Sequence, residues 1–158
     1  MKFKDAPIHD IIVTPLKKFH DKRGWLTETF RWDTVPEQYH PQMAYTSLSH
    51  PGVARGPHEH VDQSDLFVFL GPGTFRIWLW DNREDSPTYL HRMVFEGGED
   101  EALSVLIPPG VVHAYKNLSP TMAAVQNLPN RMFMGPGKKD PIDEVRHEDD
   151  PNTPYQLN

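Results

Sequence analysis

The chain has 158 residues, a formal net charge of −6 and no cysteine, which indicates one acidic domain large enough to bury a core. The negative charge argues against binding to nucleic acid or to anionic membranes, and the lack of cysteine excludes disulfides and thiolate sites. No apolar run reaches the ~18 residues that a membrane helix needs. Because residues 1–7 also lack the apolar segment of a signal peptide, we expect a cytoplasmic protein.

Short strand patterns separated by turns run through most of the chain. In chain order, we predict strands at 8–14, 25–30, 43–49, 52–60, 66–70, 74–80, 89–95, 103–107, 111–116 and 122–126. The runs 66–70 and 74–80 are predicted to form a hairpin, with Phe75, Ile77 and Leu79 on one face. One helical turn is expected within 31–42, and an extended tail from about Gly135. Many short strands at even spacing are typical of an antiparallel sandwich or barrel.

Two segments carry the candidate chemistry. The first, Gly52-Val-Ala-Arg-Gly-Pro-His-Glu-His60, places two histidines on one face of a strand. The second, Pro108-Pro-Gly-Val-Val-His-Ala-Tyr115, places His113 and Tyr115 on one face in the same way. If both strands face one interior, three imidazoles converge. Such a cluster can bind a metal ion or transfer protons.

These two segments resemble the signature motifs of the cupin superfamily. The resemblance implies an all-β fold, a cupin-type double-stranded β-helix (jelly-roll) barrel formed by residues 1–158 as a single domain. In metal-binding cupins the motif residues are the ligands, which here are His58, His60, Asp65 and His113. Imidazole and carboxylate ligands suit one divalent Mn, Fe, Ni or Zn ion.

A second resemblance covers nearly the whole chain. It is carried by Phe19-His-Asp-Lys-Arg-Gly-Trp-Leu-Thr-Glu-Thr-Phe30, Gly52-Val-Ala-Arg-Gly-Pro-His58, Asp81-Asn-Arg-Glu-Asp-Ser-Pro-Thr-Tyr89, Ile107-Pro-Pro-Gly-Val-Val-His-Ala-Tyr115 and Glu148-Asp-Asp-Pro151. In this order they are similar to motifs of the dTDP-4-dehydrorhamnose 3,5-epimerase family. The resemblance implies an isomerase, usually a homodimer, that acts on a dTDP-4-keto-6-deoxyhexose in deoxysugar and polysaccharide biosynthesis.

The same resemblance implies roles for individual residues, with no cofactor required. His58 is the base that removes the proton next to the ketone, and Asp150 is the carboxylate that orients it. Arg23 and Glu28 contact the nucleotide sugar, and Arg55 contacts its diphosphate. We also expect His113 to bind the substrate. A neutral imidazole is a suitable base near pH 7 for a proton acidified by a neighbouring ketone.

The chain departs from the family pattern in two roles. Residues 124–128 lack the tyrosine that serves as the acid, and Asp65 or Leu66 falls where a lysine is expected to stabilise the enolate. His60 makes the first motif similar instead to related dTDP-sugar 3,4-ketoisomerases, in which both histidines shuttle protons. His60 and Tyr115 are therefore candidate catalytic residues. The alternatives are a metal-dependent cupin enzyme, such as a dioxygenase or sugar isomerase, and a cupin that binds a sugar nucleotide without turnover.

Overall fold

The computed structural model describes all 158 residues and is built almost entirely of strands, which confirms the all-β prediction. The strands are β1 (Lys4–Asp5), β2 (Ile12–Pro15), β3 (Phe19–Asp21), β4 (Gly24–Leu26), β5 (Tyr45–Ser49), β6 (Ala54–Glu59), β7 (Asp65–Phe69), β8 (Thr74–Asp81), β9 (His91–Gly98), β10 (Leu103–Ile107), β11 (Val111–Asn117), β12 (Ala123–Asn127) and β13 (Val145–Arg146). A single 3-10 turn, Glu37–Tyr39, lies within the region where one helical turn is predicted. No helix in the molecule has the length and apolar character needed to cross a membrane.

Two facing sheets form the barrel. The six-stranded sheet has the order β1-β9-β8-β11-β6-β13, and the five-stranded sheet has the order β2-β10-β7-β12-β5. Strands β3 and β4 form a separate hairpin. Most neighbouring strands are distant in sequence, so the chain crosses repeatedly from one sheet to the other, as in a jelly roll.

The predicted hairpin between 66–70 and 74–80 is wrong. Strand β7 pairs with β10 and β12 in the five-stranded sheet, whereas β8 pairs with β9 and β11 in the six-stranded sheet. The turn between them is a corner of the barrel, where Gly71 and Gly73 have φ angles of 103° and 86°. Glycine adopts these left-handed angles at little cost, and a short Gly-Pro-Gly turn therefore suits a corner as well as a hairpin.

Apolar side chains from both sheets fill the barrel. Phe75, Ile77 and Leu79 of β8 lie in the interior with Phe67 and Phe69 of β7, which confirms the predicted face of β8. The opposite face of β8 is also covered. Trp78 and Trp80 pack there with Val112, Ala114 and Tyr155. Strand β8 is thus buried on both sides, and the C-terminal residues supply the outer cover.

The C-terminal segment contains only one short strand, as the prediction of an extended tail implies, but it packs closely against the barrel. Strand β13 pairs with β6. The Asp143 carboxylate accepts hydrogen bonds from the backbone N–H groups of Val61, Asp62 and Gln63. Tyr155 is buried against the outer face of β8. The tail therefore holds a fixed position and forms one wall of the cavity described next.

Candidate active site

An open cavity of about 1420 Å³ lies between the two sheets at the end of the barrel that the tail covers. Strand β5 contributes Tyr45 and Ser47, and strand β6 contributes Arg55 and His58. Residues 129–138 and 140–144 form much of the remaining wall. The cavity is large enough for a nucleotide sugar, since cavities that bind small ligands are usually about 300–1,000 Å³.

The three histidines of the two motifs converge as predicted. The ring centroid of His58 lies 4.5 Å from that of His113 and 5.9 Å from that of His60, and the His60–His113 distance is 5.8 Å. Pairing of β6 with β11 sets His58 directly opposite His113. Strand periodicity places His60 on the same side as His58.

His113, predicted to bind the substrate, is not among the residues that line the cavity. Its side chain is only 3% exposed and lies behind the cavity wall. The Nδ1 atom is 3.1 Å from the carbonyl oxygen of Val111, and because a carbonyl can only accept, this nitrogen carries the proton. Burial lowers the pKa of His113, as does the nearby His58. His113 is therefore neutral, and it packs against His58 beneath the cavity surface.

Asp65 is buried beneath the cavity surface, and its carboxylate contacts His60 and His113. Its Oδ2 atom lies 3.1 Å from Nε2 of His60 and 3.4 Å from Nε2 of His113. Its Oδ1 atom accepts hydrogen bonds from Gln63 and Asn127, each at 2.9 Å. Burial alone would raise the pKa of Asp65, but the hydrogen bond with His60, the neighbouring histidines and the hydrogen bond from Asn127 lower it to about 2. Asp65 is therefore a buried carboxylate anion.

His60 is the cationic partner of Asp65. One ring nitrogen contacts the Asp65 carboxylate, and the other contacts the carbonyl oxygen of Asp143. Both of these partners can only accept, which favours a proton on each ring nitrogen, while the side-chain nitrogen of Gln63 also lies 3.2 Å from Nε2 and donates to Asp65. Burial opposes this charge, but the hydrogen bond and charge of Asp65, with help from Asp143, raise the pKa of His60 to about 9. The cavity wall thus holds a positive charge on His60, beside Asp65, which is one of the two positions at which the family pattern predicts a lysine.

His58 is neutral and faces the cavity. Burial, followed by the positive charge of His60, lowers its pKa to about 4. Its Nδ1 atom is enclosed and lies 3.6 Å from Glu148 and 3.7 Å from Glu144. These carboxylates favour the tautomer with the proton on Nδ1, which leaves the lone pair of Nε2 for a substrate proton.

The structure does not place Asp150, the predicted orienting carboxylate, beside His58. Asp150 is exposed and makes no contact with His58, and its carboxylate accepts a hydrogen bond from the backbone N–H of Asn152. Glu144 and Glu148 lie beside His58 instead, because β13 runs antiparallel to β6 and carries them past it. The sequence has five acidic residues between 143 and 150, and no pattern in it distinguishes Glu144 and Glu148 from the other three.

Two tyrosines line the cavity. Tyr115 points inward as predicted, but it is only 5% exposed and its ring packs among Phe67, Phe69 and Phe75. Its hydroxyl lies 3.4 Å from Oγ of Ser47, and burial raises its pKa. Tyr45, on β5, did not emerge from the sequence patterns. It is 43% exposed, and burial of its hydroxyl end raises its pKa to about 12.

The predicted substrate-binding residues fall in two groups. Arg55 lines the cavity and is held by hydrogen bonds to Oγ of Ser49 and the carbonyl of Leu48. Arg23 and Glu28 lie outside this chain's cavity. Arg23 pairs with Asp21 at 2.6 Å on an exposed hairpin, and Glu28 pairs with Arg31 at 3.2 Å. A single chain therefore brings Arg55 to the histidines, but not Arg23 or Glu28.

The histidines fit a metal ion only in part. One nitrogen from each of His58, His60 and His113 lies within 4.8 Å of the others. Nε2 of His113 is buried without a hydrogen-bond partner and could serve as a ligand, whereas Nδ1 of His58 would first lose the proton that Glu144 and Glu148 favour there. Nε2 of His60 lies 3.1 Å from Asp65 and 3.2 Å from Gln63, so a metal ion would have to displace its proton and these contacts. The arrangement in the structure therefore suits proton transfer better than metal ligation.

Residues 5–138 match the sequence model of the dTDP-4-dehydrorhamnose 3,5-epimerase family. The chain belongs to this family. It is 35% identical over 127 residues to the probable low-salt glycan biosynthesis epimerase Agl13 of Haloferax volcanii, with 80% of this chain and 81% of that protein covered. It is 38% identical over 114 residues to the spore coat polysaccharide biosynthesis protein SpsL of Bacillus subtilis, with 72% and 74% covered.

Solved structures share the fold of this epimerase-family protein. A dTDP sugar isomerase from Desulfovibrio desulfuricans superposes with a TM-score of 0.79 at 22% identity, covering 94% of this chain and 91% of the other. A dTDP-4-dehydrorhamnose 3,5-epimerase from Sulfolobus tokodaii superposes with a TM-score of 0.72 at 25% identity, covering 92% and 82%. The predicted cupin-type barrel is confirmed. Family membership confirms the predicted enzyme class, an isomerase of the dTDP-sugar epimerase type.

Proposed function

We propose that this protein inverts a carbon next to the ketone of a dTDP-4-keto-6-deoxyhexose, with His58 as the base and no metal ion. The observation that carries the proposal is a neutral imidazole at the wall of a large cavity, backed by two carboxylates and set beside an imidazolium. This arrangement is complete within one chain. It supplies both a proton acceptor and a positive charge for the enolate.

The chemistry follows from these two groups. The C4 ketone acidifies the protons on C3 and C5, and Nε2 of His58 accepts one of them. Base catalysis of this kind typically contributes roughly 10²–10⁴-fold to the rate. The enolate oxygen at C4 gains stability from the positive charge of the His60 imidazolium, which lines the same cavity as His58.

Cationic side chains around the cavity support binding of the diphosphate. Arg55, Arg131 and Lys138 line the wall. Arg131 pairs only loosely with Asp62, at 3.5 Å. Arginine suits phosphate because its planar guanidinium can donate two parallel hydrogen bonds. These three groups offer cationic contacts for the diphosphate in a cavity whose lining also includes carboxylates, namely Asp62, Asp140, Asp143, Glu144 and Glu148.

We also propose a homodimer in which Arg23 and Glu28 reach the cavity of the partner subunit. The β3–β4 hairpin pairs with no other strand and exposes Phe19, Trp25 and Leu26 to 49%, 46% and 65%. Burial of such side chains in a second copy is favourable at roughly 25 cal/mol per Å². The proposal also accounts for two substrate-binding candidates that lie outside the cavity of their own chain.

Subunit complementation tests the dimer. The His58→Asn and Arg23→Ala variants are each expected to be inactive alone. After mixing and subunit exchange, a heterodimer has one site with His58 from one chain and Arg23 from the other, so activity returns. If Arg23 serves its own chain, both sites of the heterodimer stay defective and no activity returns. A monomer by analytical ultracentrifugation would also contradict the proposal.

Deuterium uptake tests the base. Wild-type protein is incubated with dTDP-4-keto-6-deoxyglucose in D₂O, and uptake at C3 and C5 is followed by NMR. We expect His58→Asn to abolish uptake and His50→Asn, at an exposed histidine, to leave it unchanged. Full uptake in the His58 variant would refute the role of the base.

The same assay separates the alternatives. A product with the ketone moved to C3 identifies a ketoisomerase, and tight binding without exchange identifies a binding protein. Chelator treatment of the wild type should leave the exchange rate unchanged. A rate that falls with chelator and returns with Mn, Fe, Ni or Zn would favour the metal-dependent alternative.

A further inference from the structure

We propose that Tyr45 is the general acid that returns a proton to the substrate carbon, in place of the tyrosine that residues 124–128 lack. The assignment rests on the proposed function, because it needs an enolate formed by His58. It adds a catalytic residue that no sequence motif marks. Three features of the structure carry it: the strand position of Tyr45, the hydrogen bond to its hydroxyl, and the sheet on which it lies.

Tyr45 lies next to the strand on which the missing tyrosine is expected. Strand β12, which includes most of residues 124–128, pairs with β5, and Asn127 is directly opposite Tyr45. Side chains in directly opposed positions of an antiparallel pair are neighbours on the same face of the sheet. A phenol on β5 can therefore occupy the space that a phenol on β12 would otherwise fill.

The hydrogen bonds at Tyr45 leave its proton available. Nδ2 of Asn127 donates to the Tyr45 hydroxyl at 2.9 Å and to Oδ1 of Asp65 at 2.9 Å. The carboxylate can only accept, which fixes this end of the Asn127 amide as the donor. The phenol oxygen is therefore an acceptor in its bond to Asn127, and its O–H makes no other hydrogen bond within the chain. The proton can point into the cavity.

The same bond stabilises the product of proton transfer. When the Tyr45 O–H bond breaks, the phenolate oxygen still accepts from Asn127, and hydrogen bonds to charged acceptors are the stronger kind. Asn127 is itself held by the buried Asp65, which pairs with His60. The Tyr45 hydroxyl is thus connected to the Asp65–His60 ion pair through the side-chain amide of Asn127.

The two sheets place the base and this acid on opposite sides of the cavity. His58 lies on β6 of the six-stranded sheet, and Tyr45 lies on β5 of the five-stranded sheet. Both line the same cavity. Inversion needs a proton removed from one face of the carbon and delivered to the other. In that step His58 gains the proton of the C–H bond, the Tyr45 O–H proton forms the new C–H bond, and both residues then re-equilibrate with solvent.

Tyr115 is less suited to this role. It lies on β11, in the same sheet as His58, so it would deliver a proton from the side of the base. Its ring is enclosed by three phenylalanines, and its hydroxyl is next to Oγ of Ser47. The two tyrosines therefore form a matched pair of test positions, each with one hydroxyl to remove.

The Tyr45→Phe variant is tested in D₂O with dTDP-4-keto-6-deoxyglucose. Because His58 remains, we expect deuterium to enter C3 or C5 with the original configuration. Formation of the epimer should fall by roughly 100-fold or more, as is typical for loss of a general acid. Tyr89→Phe, at a tyrosine outside the cavity, should keep epimer formation within a few-fold of wild type, and His58→Asn should lose both exchange and epimer formation.

Each other result has a distinct meaning. Epimer formation at the wild-type rate in Tyr45→Phe overturns the assignment, as does a loss confined to Tyr115→Phe. Lack of exchange in the wild type overturns the proposed function itself. A second variant addresses the case in which Tyr45→Phe fails to fold. Replacing Tyr45 by 3-fluorotyrosine keeps the hydroxyl but lowers its pKa. The fall in the rate of epimer formation at alkaline pH should then begin at a lower pH than in the wild type. An unchanged onset of this fall contradicts the assignment.

Discussion

The buried pair of Asp65 and His60 yields a sharp prediction for Asp65→Asn. The substitution keeps the shape of the side chain but removes the negative charge, and it leaves His60 as a buried cation with only the Asp143 carbonyl as a partner. The side chains of His60 and Asp65 are 12% and 1% exposed, so water can replace little of the lost interaction. Removing one partner of a buried ion pair typically costs about 3–5 kcal/mol.

The pKa of His60 gives a separate measure of the same interaction. Its ordinary value of 6.5 is raised to about 9 in the folded protein. At about 1.4 kcal/mol for each tenfold change in proton affinity, this corresponds to roughly 3 kcal/mol of folding free energy. A raised pKa makes this contribution complete below pH 6.5 and removes it as the pH rises through 9. We therefore expect Asp65→Asn to cost roughly 3 kcal/mol at pH 6 and less than half of that at pH 10.

Urea unfolding at the two pH values measures this difference. Asp5→Asn is the matched control, since Asp5 forms an ion pair with Arg92 but is 72% exposed. Exposed pairs contribute about 0–1 kcal/mol, so this variant should change little at either pH. An NMR titration of His60 reports the pKa directly. An equal cost at pH 6 and pH 10, or a His60 that titrates near 6.5 in the wild type, would refute the reasoning.

Two further predictions concern the orientation of the base and the core. Replacing Glu144 and Glu148 together by Gln should lower kcat at least about tenfold, equal to roughly 1.4 kcal/mol of barrier, whereas Asp150→Asn should leave kcat unchanged in the epimer assay. Phe75→Ala should lower the free energy of unfolding, measured with urea, by about 3–5 kcal/mol because Phe75 is completely buried in the barrel. A loss below about 1 kcal/mol would contradict this expectation and show that the core relaxes around the substitution.

The sequence predicts the parts of the site that local periodicity controls. Two histidines two residues apart on a strand must share a face, so convergence of His58 and His60 needs only the assignment of β6. The inward face of β8 follows from the alternation of Phe75, Ile77 and Leu79 in the same way. These predictions need no knowledge of which strands are neighbours.

Residues that depend on strand pairing could not be predicted. Glu144 and Glu148 approach His58 only because β13 adds to the edge of the six-stranded sheet at β6. Tyr45 contacts Asn127, 82 residues further along the chain, only because β5 pairs with β12. The mistaken hairpin has the same origin, since a short turn is compatible with pairing and with a barrel corner. Long-range pairing is decided by the packing of whole faces, which a single sequence does not encode locally.

The placement of charge explains how the site can keep its chemistry without the lysine and tyrosine of the family pattern. A lysine brings its charge on a flexible stem, whereas His60 acquires charge only because Asp65 and Asp143 accept from both its nitrogens. The same Asp65 binds Asn127, which in turn binds Tyr45. One buried carboxylate therefore charges the group beside the enolate and positions the proposed acid. Loss of Asp65 should consequently impair both steps, and exchange and epimer formation should fall together in Asp65→Asn but separately in Tyr45→Phe.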